Sequence, residues 1–335
     1  MKAAVFERYG GPDEVHVAMV PVPRVRDDQM LVRVLCASIT TRDVLTRSAT
    51  FPLGLALVGQ MLGPRVHVLG DDFAGVVETV GALVTQFRVG DAVAGHRQFQ
   101  CHAEYVVVDE AGVVCLKPGS VSYADAACAW YGASPALNFL RDQAKVLAGE
   151  SVLVVGASGA AGASCVQLAK VYGAHVTALC TTTKAAYVRQ LGADCVMDYA
   201  EAGAALGLDA STTTTTTTTT TTIPEDGATY DVIVDTVGDL SFAACEHLLN
   251  EHGRLCLLEA GVAQAVFTPL FGTKRVCAGV PALPLAEDLR FVLELVKQGK
   301  LAVPIDREFA LDEISDAHRY VDEKLNSGTV VVMIA

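Results

Sequence analysis

The chain has 335 residues, of which 51% are hydrophobic and 19% are charged, and its formal net charge is -13 at pH 7. This length and composition indicate a compact globular protein that can bury a large core and hold two domains. The negative charge argues against nucleic acid or an anionic membrane surface as a partner. No apolar run approaches the ~20 residues of a transmembrane helix. The N-terminus reads directly as a strand, without a signal or transit peptide, so we expect a cytoplasmic protein and no membrane partner.

The first part of the chain, up to about residue 124, is predicted to be rich in β-strands. Apolar residues alternate or cluster there in segments of strand length, separated by Gly, Pro and Asp. These segments are the N-terminal residues and residues 15–20, 30–36, 73–80, 91–95 and 103–108. The pattern predicts a meandering, barrel-like domain.

From about residue 125 the pattern changes to alternating strands and helices. The predicted strands are residues 152–155, 174–180, 195–198, 230–237, 253–258 and 274–279, with a helix over residues 184–191. Six strands with helical crossovers predict an α/β fold with a doubly wound parallel sheet. An amphipathic helix over residues 285–297 and a strand over residues 329–334 complete the chain.

A glycine-rich turn separates the first of these strands from a predicted helix. Gly156, Gly159 and Gly162 follow one another at three-residue spacing. Residues without a Cβ let the backbone approach a dinucleotide pyrophosphate, and a helix N-terminus supplies unpaired N–H groups and partial positive charge. The spacing alone is a weak indicator, but the flanking strand and helix favour a dinucleotide site. The predicted site includes the other residues of the turn, Ser158, Ala160 and Ala161.

The residues after the second strand of this sheet bear on the choice of cofactor. NAD-specific sites place an Asp or Glu at the end of that strand to accept from the ribose 2′-hydroxyl. Here the strand ends at Cys180, and Thr181, Thr182, Thr183 and Lys184 follow with no acid in reach. Hydroxyls and an ammonium suit a 2′-phosphate, so we expect NADPH. The alternative is a helix N-cap cluster followed by a solvated lysine.

Two other features have simpler interpretations. Residues 212–222 are an unbroken threonine run, which we interpret as a mobile surface loop, with a flexible edge strand as the alternative. Ten cysteines are scattered without a C-x-x-C spacing, mostly in apolar runs. They are typical of reduced core residues and indicate a reducing intracellular compartment.

Several motifs spread over nearly the whole chain carry a family resemblance. They are Gly70-Asp-Asp-Phe-Ala-Gly-Val-Val77, Val89-Gly-Asp-Ala-Val-Ala-Gly95, Val152-Leu-Val-Val-Gly-Ala-Ser-Gly159, Gln190-Leu-Gly-Ala-Asp194 and Tyr230-Asp-Val-Ile-Val-Asp-Thr-Val-Gly238. The chain resembles the medium-chain dehydrogenases/reductases, specifically their zinc-free quinone oxidoreductase branch that includes zeta-crystallin. Within that branch, residues 176–181 and Asp198-Tyr199 look most like the reticulon-4-interacting protein group.

The resemblance implies two domains and a cofactor site. A GroES-like catalytic domain would comprise residues 1–124 and 281–335, and an inserted Rossmann domain would comprise residues 125–280. The cleft between them would hold nicotinamide and substrate. Tyr199 matches a tyrosine that contacts the 2′-phosphate in similar reductases, and the predicted cofactor site also includes Cys180, Val237 and Gly238. Relatives of this branch are often dimers, so a homodimer is expected.

The resemblance also bears on zinc. Zinc-dependent relatives have a cysteine ligand where this chain has Thr40 and a histidine ligand where it has Asp71. A tetrahedral nitrogen and sulfur site cannot form from these residues. The structural lobe of four cysteines is absent too, and we interpret Cys101-His102 as packing and surface residues. We therefore expect no catalytic metal.

Without zinc, the chemistry suits acceptors whose reduction gives a delocalised anion, such as quinones, enones and other activated alkenes. Candidates to donate the proton or a hydrogen bond are Thr40, Tyr131 and Ser134. Asp71 and Asp72 are interpreted as a solvated pair in a turn, with a general-acid role as the alternative if they are desolvated.

The favoured function is therefore an NADPH-dependent reductase acting on a small molecule of this kind. Two alternatives remain open: a zinc-free alcohol or carbonyl oxidoreductase with a specialised substrate, and a non-catalytic NADPH-binding protein.

Overall fold

The computed structural model describes residues 1–50, 64, 67–199, 228–238, 240–258, 273–278, 285–323 and 326–334. The threonine run at residues 212–222 lies outside these ranges. The chain divides into two compact units. The first unit comprises Met1–Tyr131, Pro284–Gly299 and Val303–Ala335, and the second comprises Gly132–Leu283 and Lys300–Ala302.

Strands and helices are numbered in chain order over the described residues. The strands are β1 (Lys2–Val5), β2 (His16–Met19), β3 (Gln29–Ile39), β4 (Asp72–Val80), β5 (Ala92–His96), β6 (Tyr105–Asp109), β7 (Val113–Leu116), β8 (Ser151–Val155), β9 (His175–Cys180), β10 (Cys195–Asp198), β11 (Tyr230–Asp235), β12 (Leu249–Leu257), β13 (Arg275–Ala278), β14 (Ile305–Ala310) and β15 (Thr329–Met333). The α-helices are α1 (Thr41–Ser48), α2 (Tyr123–Leu137), α3 (Ala160–Val171), α4 (Ala185–Gln190), α5 (Phe242–Cys245), α6 (Ala286–Lys297) and α7 (Ile314–Asp322).

The first unit is built on a seven-stranded sheet in the order β14-β15-β3-β4-β5-β7, with β6 also paired to β3. The long strand β3 is central and runs antiparallel to β15, β4 and β6. Its apolar residues Met30, Val32 and Val34 are fully buried in the core of this unit. Helix α7 packs its apolar face into the same core through Ile314 and Val321. Burial of one face of the sheet and one stripe of the helix stabilises this unit.

The second unit contains a six-stranded sheet in the order β10-β9-β8-β11-β12-β13. Every neighbouring pair in this sheet is parallel. Val152–Val155 of β8 are completely buried, as expected for a central strand covered on both faces. The strand order reverses between β8 and β11, and such a point is where doubly wound sheets bind ligands. The predicted α/β fold with a doubly wound parallel sheet is confirmed.

None of the helices in the described ranges has both the length and the apolar character that a bilayer crossing requires.

Candidate functional site

The glycine turn joins β8 to α3 and has the backbone that its sequence predicts. Gly156 adopts a φ of +81°, which favours glycine, and Gly159 is the N-cap of α3. A Cβ added to Gly159 would meet only the Gly156 carbonyl oxygen, at 3.6 Å. A Cβ added to Gly162 would stand 2.1 Å from that same oxygen. Gly159 therefore leaves open space above the turn, whereas Gly162 lets the helix start close to it.

The start of α3 provides hydrogen-bond donors for an anion. The first N–H groups of a helix have no partner within the helix, and they carry the positive end of its dipole. In α3 these groups belong to Ala160, Ala161 and Gly162. Ser158 is half buried and precedes the exposed Gly159. The open space above Gly159 and these donors fit the pyrophosphate of a dinucleotide.

A second turn, which follows β11, lies against the glycine turn. The buried carboxylate of Asp235 accepts hydrogen bonds from the N–H groups of Val237 (2.9 Å), Gly238 (3.0 Å) and Leu240 (2.8 Å). Thr236 Oγ1 donates to the Val155 carbonyl at 2.8 Å. The structure thus places Val237 and Gly238 beside the glycine turn, at the switch point.

Asp235 itself was missed as a functional position in the sequence, although it holds this turn in place. The role of Asp235 could have been recognised from its position, because an aspartate that ends a buried strand three residues before a glycine can cap a tight turn with its carboxylate. Gly238 has a φ of +94°, which the turn requires.

The segment after β9 forms a single 3₁₀ turn, Thr182–Lys184. Thr181 is the N-cap of this turn, but its side chain makes no capping hydrogen bond, and its Oγ1 lies 3.3 Å from Thr183 Oγ1. Lys184 is half buried and the three threonines are exposed. Cys180 is 1% exposed, and burial raises the pKa of its thiol to about 11. Cys180 is therefore a packed, neutral thiol at this edge.

The expectation that no acid lies near this segment was wrong. Asp198 ends β10 and pairs in register with Cys180 at the end of β9. Its carboxylate accepts a hydrogen bond from Thr182 Oγ1. Sequence distance concealed this contact, because the two residues meet only when β9 and β10 pair. Tyr199, next in the chain, is half buried and packs against the core of the second unit.

In the first unit, the end of β3 and the start of α1 are joined by a carboxylate. Asp43 Oδ2 accepts from both the N–H and the hydroxyl of Thr40, each at 2.8 Å. Asp43 Oδ1 accepts from the Gly70 N–H at 2.9 Å. Thr40 is only 4% exposed and is the N-cap of α1. Its hydroxyl proton is therefore used inside the protein.

Asp71 and Asp72 are 5% and 2% exposed, so the interpretation of a solvated pair in a turn was wrong. Asp71 Oδ1 accepts from the Phe99 N–H at 2.7 Å, and Arg42 Nε lies 3.2 Å from Asp71 Oδ2. Burial, and next the charge of Asp43, raise the pKa of Asp71 to about 6. The hydrogen bond from Phe99 and the charge of Arg42 only partly offset this rise. Asp72 is the first residue of β4, so it lies in the sheet and not in a turn.

His96 is a residue of this cluster that the sequence alone did not reveal. It ends β5 directly opposite Asp72 in the antiparallel register of β4 and β5. The distance between His96 Nδ1 and Asp72 Oδ1 is 2.6 Å. Burial lowers the pKa of His96, but the hydrogen bond and charge of Asp72, with the charge of Asp71, raise it above its usual value overall. The sequence places these residues 24 apart, and only the sheet register brings them together.

Tyr131 and Ser134, two of the predicted catalytic residues, lie on α2 and are both half buried. The residue of this helix that faces the cluster is Trp130, whose ring centroid is 6.4 Å from that of His96. Tyr131 belongs to the first unit and Ser134 to the second. Of the three predicted catalytic residues, Thr40 lies in the cluster, where it hydrogen-bonds to Asp43.

Potential metal ligands are engaged elsewhere in the described structure. Cys101 and His102 are both completely buried, so both are packing residues and the surface location expected among them was wrong. His102 Nε2 lies 2.8 Å from the Ser38 carbonyl oxygen. Within the described ranges, no three His, Cys, Asp or Glu side chains are grouped as a metal site would require.

Comparisons with known proteins agree with this architecture. Residues 26–132 match the alcohol dehydrogenase GroES-like domain family, and residues 191–332 match the zinc-binding dehydrogenase family. A chloroplast envelope quinone oxidoreductase homolog of Arabidopsis thaliana is 30% identical over 99% of this chain and 98% of its own length. An NADPH-dependent alkenal/one oxidoreductase of the same plant is 29% identical over 99% of this chain and 79% of its own length.

The solved structures include the quinone oxidoreductase from Coxiella burnetii. It is 27% identical, covers 100% of this chain and 99% of its own, and superposes with a TM-score of 0.80. The GroES-like fold of the first unit and the Rossmann fold of the second are therefore confirmed, as is activity as an oxidoreductase with a nicotinamide cofactor. The chain belongs to the medium-chain dehydrogenase/reductase superfamily and is related to its quinone oxidoreductases.

Proposed function

We propose that the protein is a zinc-independent, NADPH-dependent reductase that acts on a quinone, an enone or another activated alkene. The observation that carries this proposal is the state of the two residues that replace zinc ligands of relatives. The Thr40 hydroxyl donates a hydrogen bond to Asp43, and Asp71 is held by Arg42 and by the Phe99 N–H. These side chains offer hydrogen bonds and charge and no soft ligand set, which suits acceptors that form delocalised anions.

The cofactor choice rests on the segment after β9. Lys184 supplies a positive charge beside three hydroxyl groups, which favours a ribose 2′-phosphate. Asp198 opposes this choice, because its carboxylate contacts Thr182 in the same segment. We propose that the attraction of Lys184 outweighs the repulsion of Asp198. A bound NADPH supplies the hydride, while the start of α3 and the turn held by Asp235 would orient it.

The domain organisation and assembly are part of the same proposal. Residues 1–124 and 281–335 would form the catalytic domain, and residues 125–280 the cofactor domain. A homodimer that pairs the edges of two Rossmann sheets is proposed from the resemblance. A cytoplasmic location stays part of the proposal. All ten cysteines are free and nine of them are buried, which is consistent with a reducing compartment.

The test is a panel of substrates, with turnover followed by the absorbance of the reduced cofactor. A benzoquinone, an aliphatic enone and a saturated aldehyde are each measured with NADPH and with NADH, and absorbance falls on turnover. A secondary alcohol is measured with the oxidised cofactors, and absorbance rises on turnover. We expect turnover of the quinone or the enone with NADPH as the preferred donor. Turnover of the alcohol or aldehyde alone would replace the proposal by an alcohol or carbonyl oxidoreductase. Tight NADPH binding without any turnover would indicate a binding protein.

A further inference from the structure

The strongest unassigned feature of the first unit is a hydrogen-bonded chain of three polar side chains, Ser38, Asp72 and His96. Ser38 Oγ donates to Asp72 Oδ2 at 3.3 Å, and His96 Nδ1 lies 2.6 Å from Asp72 Oδ1. Both carboxylate oxygens of Asp72 are therefore engaged, and the carboxylate is held in one orientation. Ser38 and Asp72 are buried, whereas the His96 side chain keeps 16% of its surface exposed. His96 is the outer end of this chain.

The contact with Asp72 fixes which nitrogen of His96 can exchange a proton. A carboxylate accepts a hydrogen bond, so Nδ1 carries a hydrogen in both the neutral and the charged imidazole. The other nitrogen, Nε2, makes no hydrogen bond to any described residue, and the ring otherwise lies against Trp130. Nε2 is thus the position that gains and loses a proton. This is the arrangement that orients a histidine in catalytic acid and base chemistry.

The charges around His96 favour its protonated form. Burial opposes the imidazolium, the hydrogen bond and charge of Asp72 and the charge of Asp71 stabilise it, and the charge of Arg42 opposes it. Trp130 packs against the ring and carries no charge. The overall effect is a raised pKa, so more of the imidazolium is present at neutral pH than for a free histidine.

A purely structural role explains this cluster poorly. Asp43 at the start of α1, Asp71 just before β4 and Asp72 at the start of β4 are three buried carboxylates, and burial, followed by the charge of Asp43, raises the pKa of Asp71. Burying like charges together costs folding free energy, and such arrangements are concentrated at functional sites. Thr40 is less suitable as a proton donor, because its hydroxyl already donates a hydrogen bond to Asp43.

We propose that His96 is the proton donor of the reaction and that Asp72 is the residue that positions it. This assignment rests on the proposed reduction of enones and quinones. A hydride, which a bound NADPH would supply, adds to the β-carbon of the enone. The C=C π pair shifts to the bond between the α-carbon and the carbonyl carbon, and the C=O π pair moves onto the oxygen. The Nε2–H bond then breaks and its proton bonds to the α-carbon of the resulting enolate, which restores the carbonyl, while the pair of the N–H bond stays on the imidazole. The neutral imidazole regains a proton from solvent, which completes the cycle.

The proposal predicts that dependence on His96 follows the basicity of the anion formed. An enolate is strongly basic and needs a proton as it forms, whereas the dianion or monoanion of a substituted hydroquinone with electron-withdrawing groups is stable in water. His96→Gln should lower kcat on an aliphatic enone by about 100- to 10,000-fold, the usual contribution of a general acid. Turnover of the electron-poor quinone should fall by less than about 5-fold, well below that contribution. His16→Gln, at an exposed histidine of β2, is the matched control and should change neither activity.

The pH dependence supplies a second readout. For the wild type, kcat on the enone should fall as pH rises through the pKa of His96, and this fall should be absent in His96→Gln. Equal losses on both acceptors, or an unchanged pH profile in the variant, would overturn the assignment.

A third readout does not depend on turnover. Titration of the histidine ring protons by NMR, with His96→Gln used to assign the resonance, should give His96 a pKa above its usual value. Asp72→Asn should lower that pKa, because it removes the charge that stabilises the imidazolium. A His96 pKa that Asp72→Asn leaves unchanged would refute the positioning role of Asp72. A wild type that reduces neither acceptor would instead refute the proposed function, and the donor role with it, even if the coupled titration is observed.

Discussion

The carbonyl oxygen of Gly156 would lie 2.1 Å from a Cβ added to Gly162, although the two residues are separated by a full glycine turn. The nearest atoms are backbone atoms, which cannot move aside as the end of a flexible side chain can. Gly162→Ala should therefore lower the free energy of unfolding by about 3 kcal/mol, the upper range for an overpacked site. Thermal unfolding followed by circular dichroism measures this loss.

Gly159→Val should behave in the opposite way, because a Cβ at Gly159 meets nothing closer than 3.6 Å. The variant should unfold within a few degrees of the wild type and yet lose dinucleotide binding, since its side chain fills the space of the pyrophosphate. Cofactor binding is followed by quenching of protein fluorescence. A folded variant that binds the cofactor as the wild type does would show that the pyrophosphate lies elsewhere.

Lys184→Ala tests the choice of cofactor. A charge-assisted hydrogen bond contributes about 1.5–3 kcal/mol, so the variant should bind NADPH about 10- to 100-fold more weakly. NADH, which lacks the 2′-phosphate, should bind as before. Isothermal titration with both cofactors measures the two affinities. Equal weakening of both, or a wild type that binds them equally well, would refute the 2′-phosphate contact.

Asp198→Asn should have the reverse effect at the same place. Asn can still accept the hydrogen bond from Thr182, but it carries no charge to repel a phosphate. We expect NADPH affinity to rise about 3-fold, the scale of a partly exposed charge interaction, with NADH affinity nearly constant. The same titration, repeated at high salt, should shrink the difference because salt screens the repulsion. Weaker NADPH binding in this variant would mean that Asp198 holds the ribose instead.

The parts of the fold that depend on local pattern could be predicted from the sequence, and those that depend on pairing could not. The strands of the second unit have largely buried apolar runs, which are visible in the sequence, and β10 was predicted with its observed bounds. Strand β14, at the edge of the first sheet, was missed, because it contains Asp306, Arg307 and Glu308 and has no apolar run. Helix α1 was also missed, because only Val44 and Leu45 are apolar in it.

The candidate site shows the same division. The glycine turn is contiguous in sequence, and its geometry could be expected from its residue types alone. The contacts of Asp72 with His96 and of Asp198 with Thr182 join residues far apart in the chain through strand register. No spacing rule in the sequence relates them, and the burial of Asp71 depends on how Arg42 and the Phe99 N–H surround it.

Asp71 should make stability depend on pH. Its folded pKa of about 6 lies above the ordinary value of 3.8, so the folded state binds its proton more tightly than the unfolded state does. The stabilisation from Asp71 is present at low pH and is lost as pH rises through about 4 to 6. Asp71→Asn, which stays neutral, should therefore gain about 2 kcal/mol relative to the wild type between pH 4 and pH 8.

Urea unfolding at a series of pH values measures this difference. Asp27→Asn, at an exposed aspartate, is the control and should show no such pH-dependent difference. A constant difference between Asp71→Asn and the wild type at all pH values would contradict the raised pKa.

Zinc content provides a further test. With Thr40 and Asp71 at the positions of zinc ligands in relatives, the active protein should contain far less than one zinc per chain and should keep its activity after dialysis against a strong chelator. Elemental analysis and activity before and after dialysis are the measurements. About one zinc per chain, with activity that disappears on its removal and returns with added zinc, would contradict the proposal.

The buried carboxylate of Asp235 has a consequence for the kinetics of backbone opening. It accepts hydrogen bonds from three backbone amides of one turn, those of Val237, Gly238 and Leu240. Val237 in this turn is nevertheless 45% exposed. Amides in an exposed turn normally exchange with deuterium almost at the rate of an unstructured peptide. The amides of this turn can exchange only after their hydrogen bonds to the Asp235 carboxylate break. Protection of this turn in the cofactor-free protein would show that the edge is ordered before the dinucleotide arrives, so that binding loses little chain entropy there.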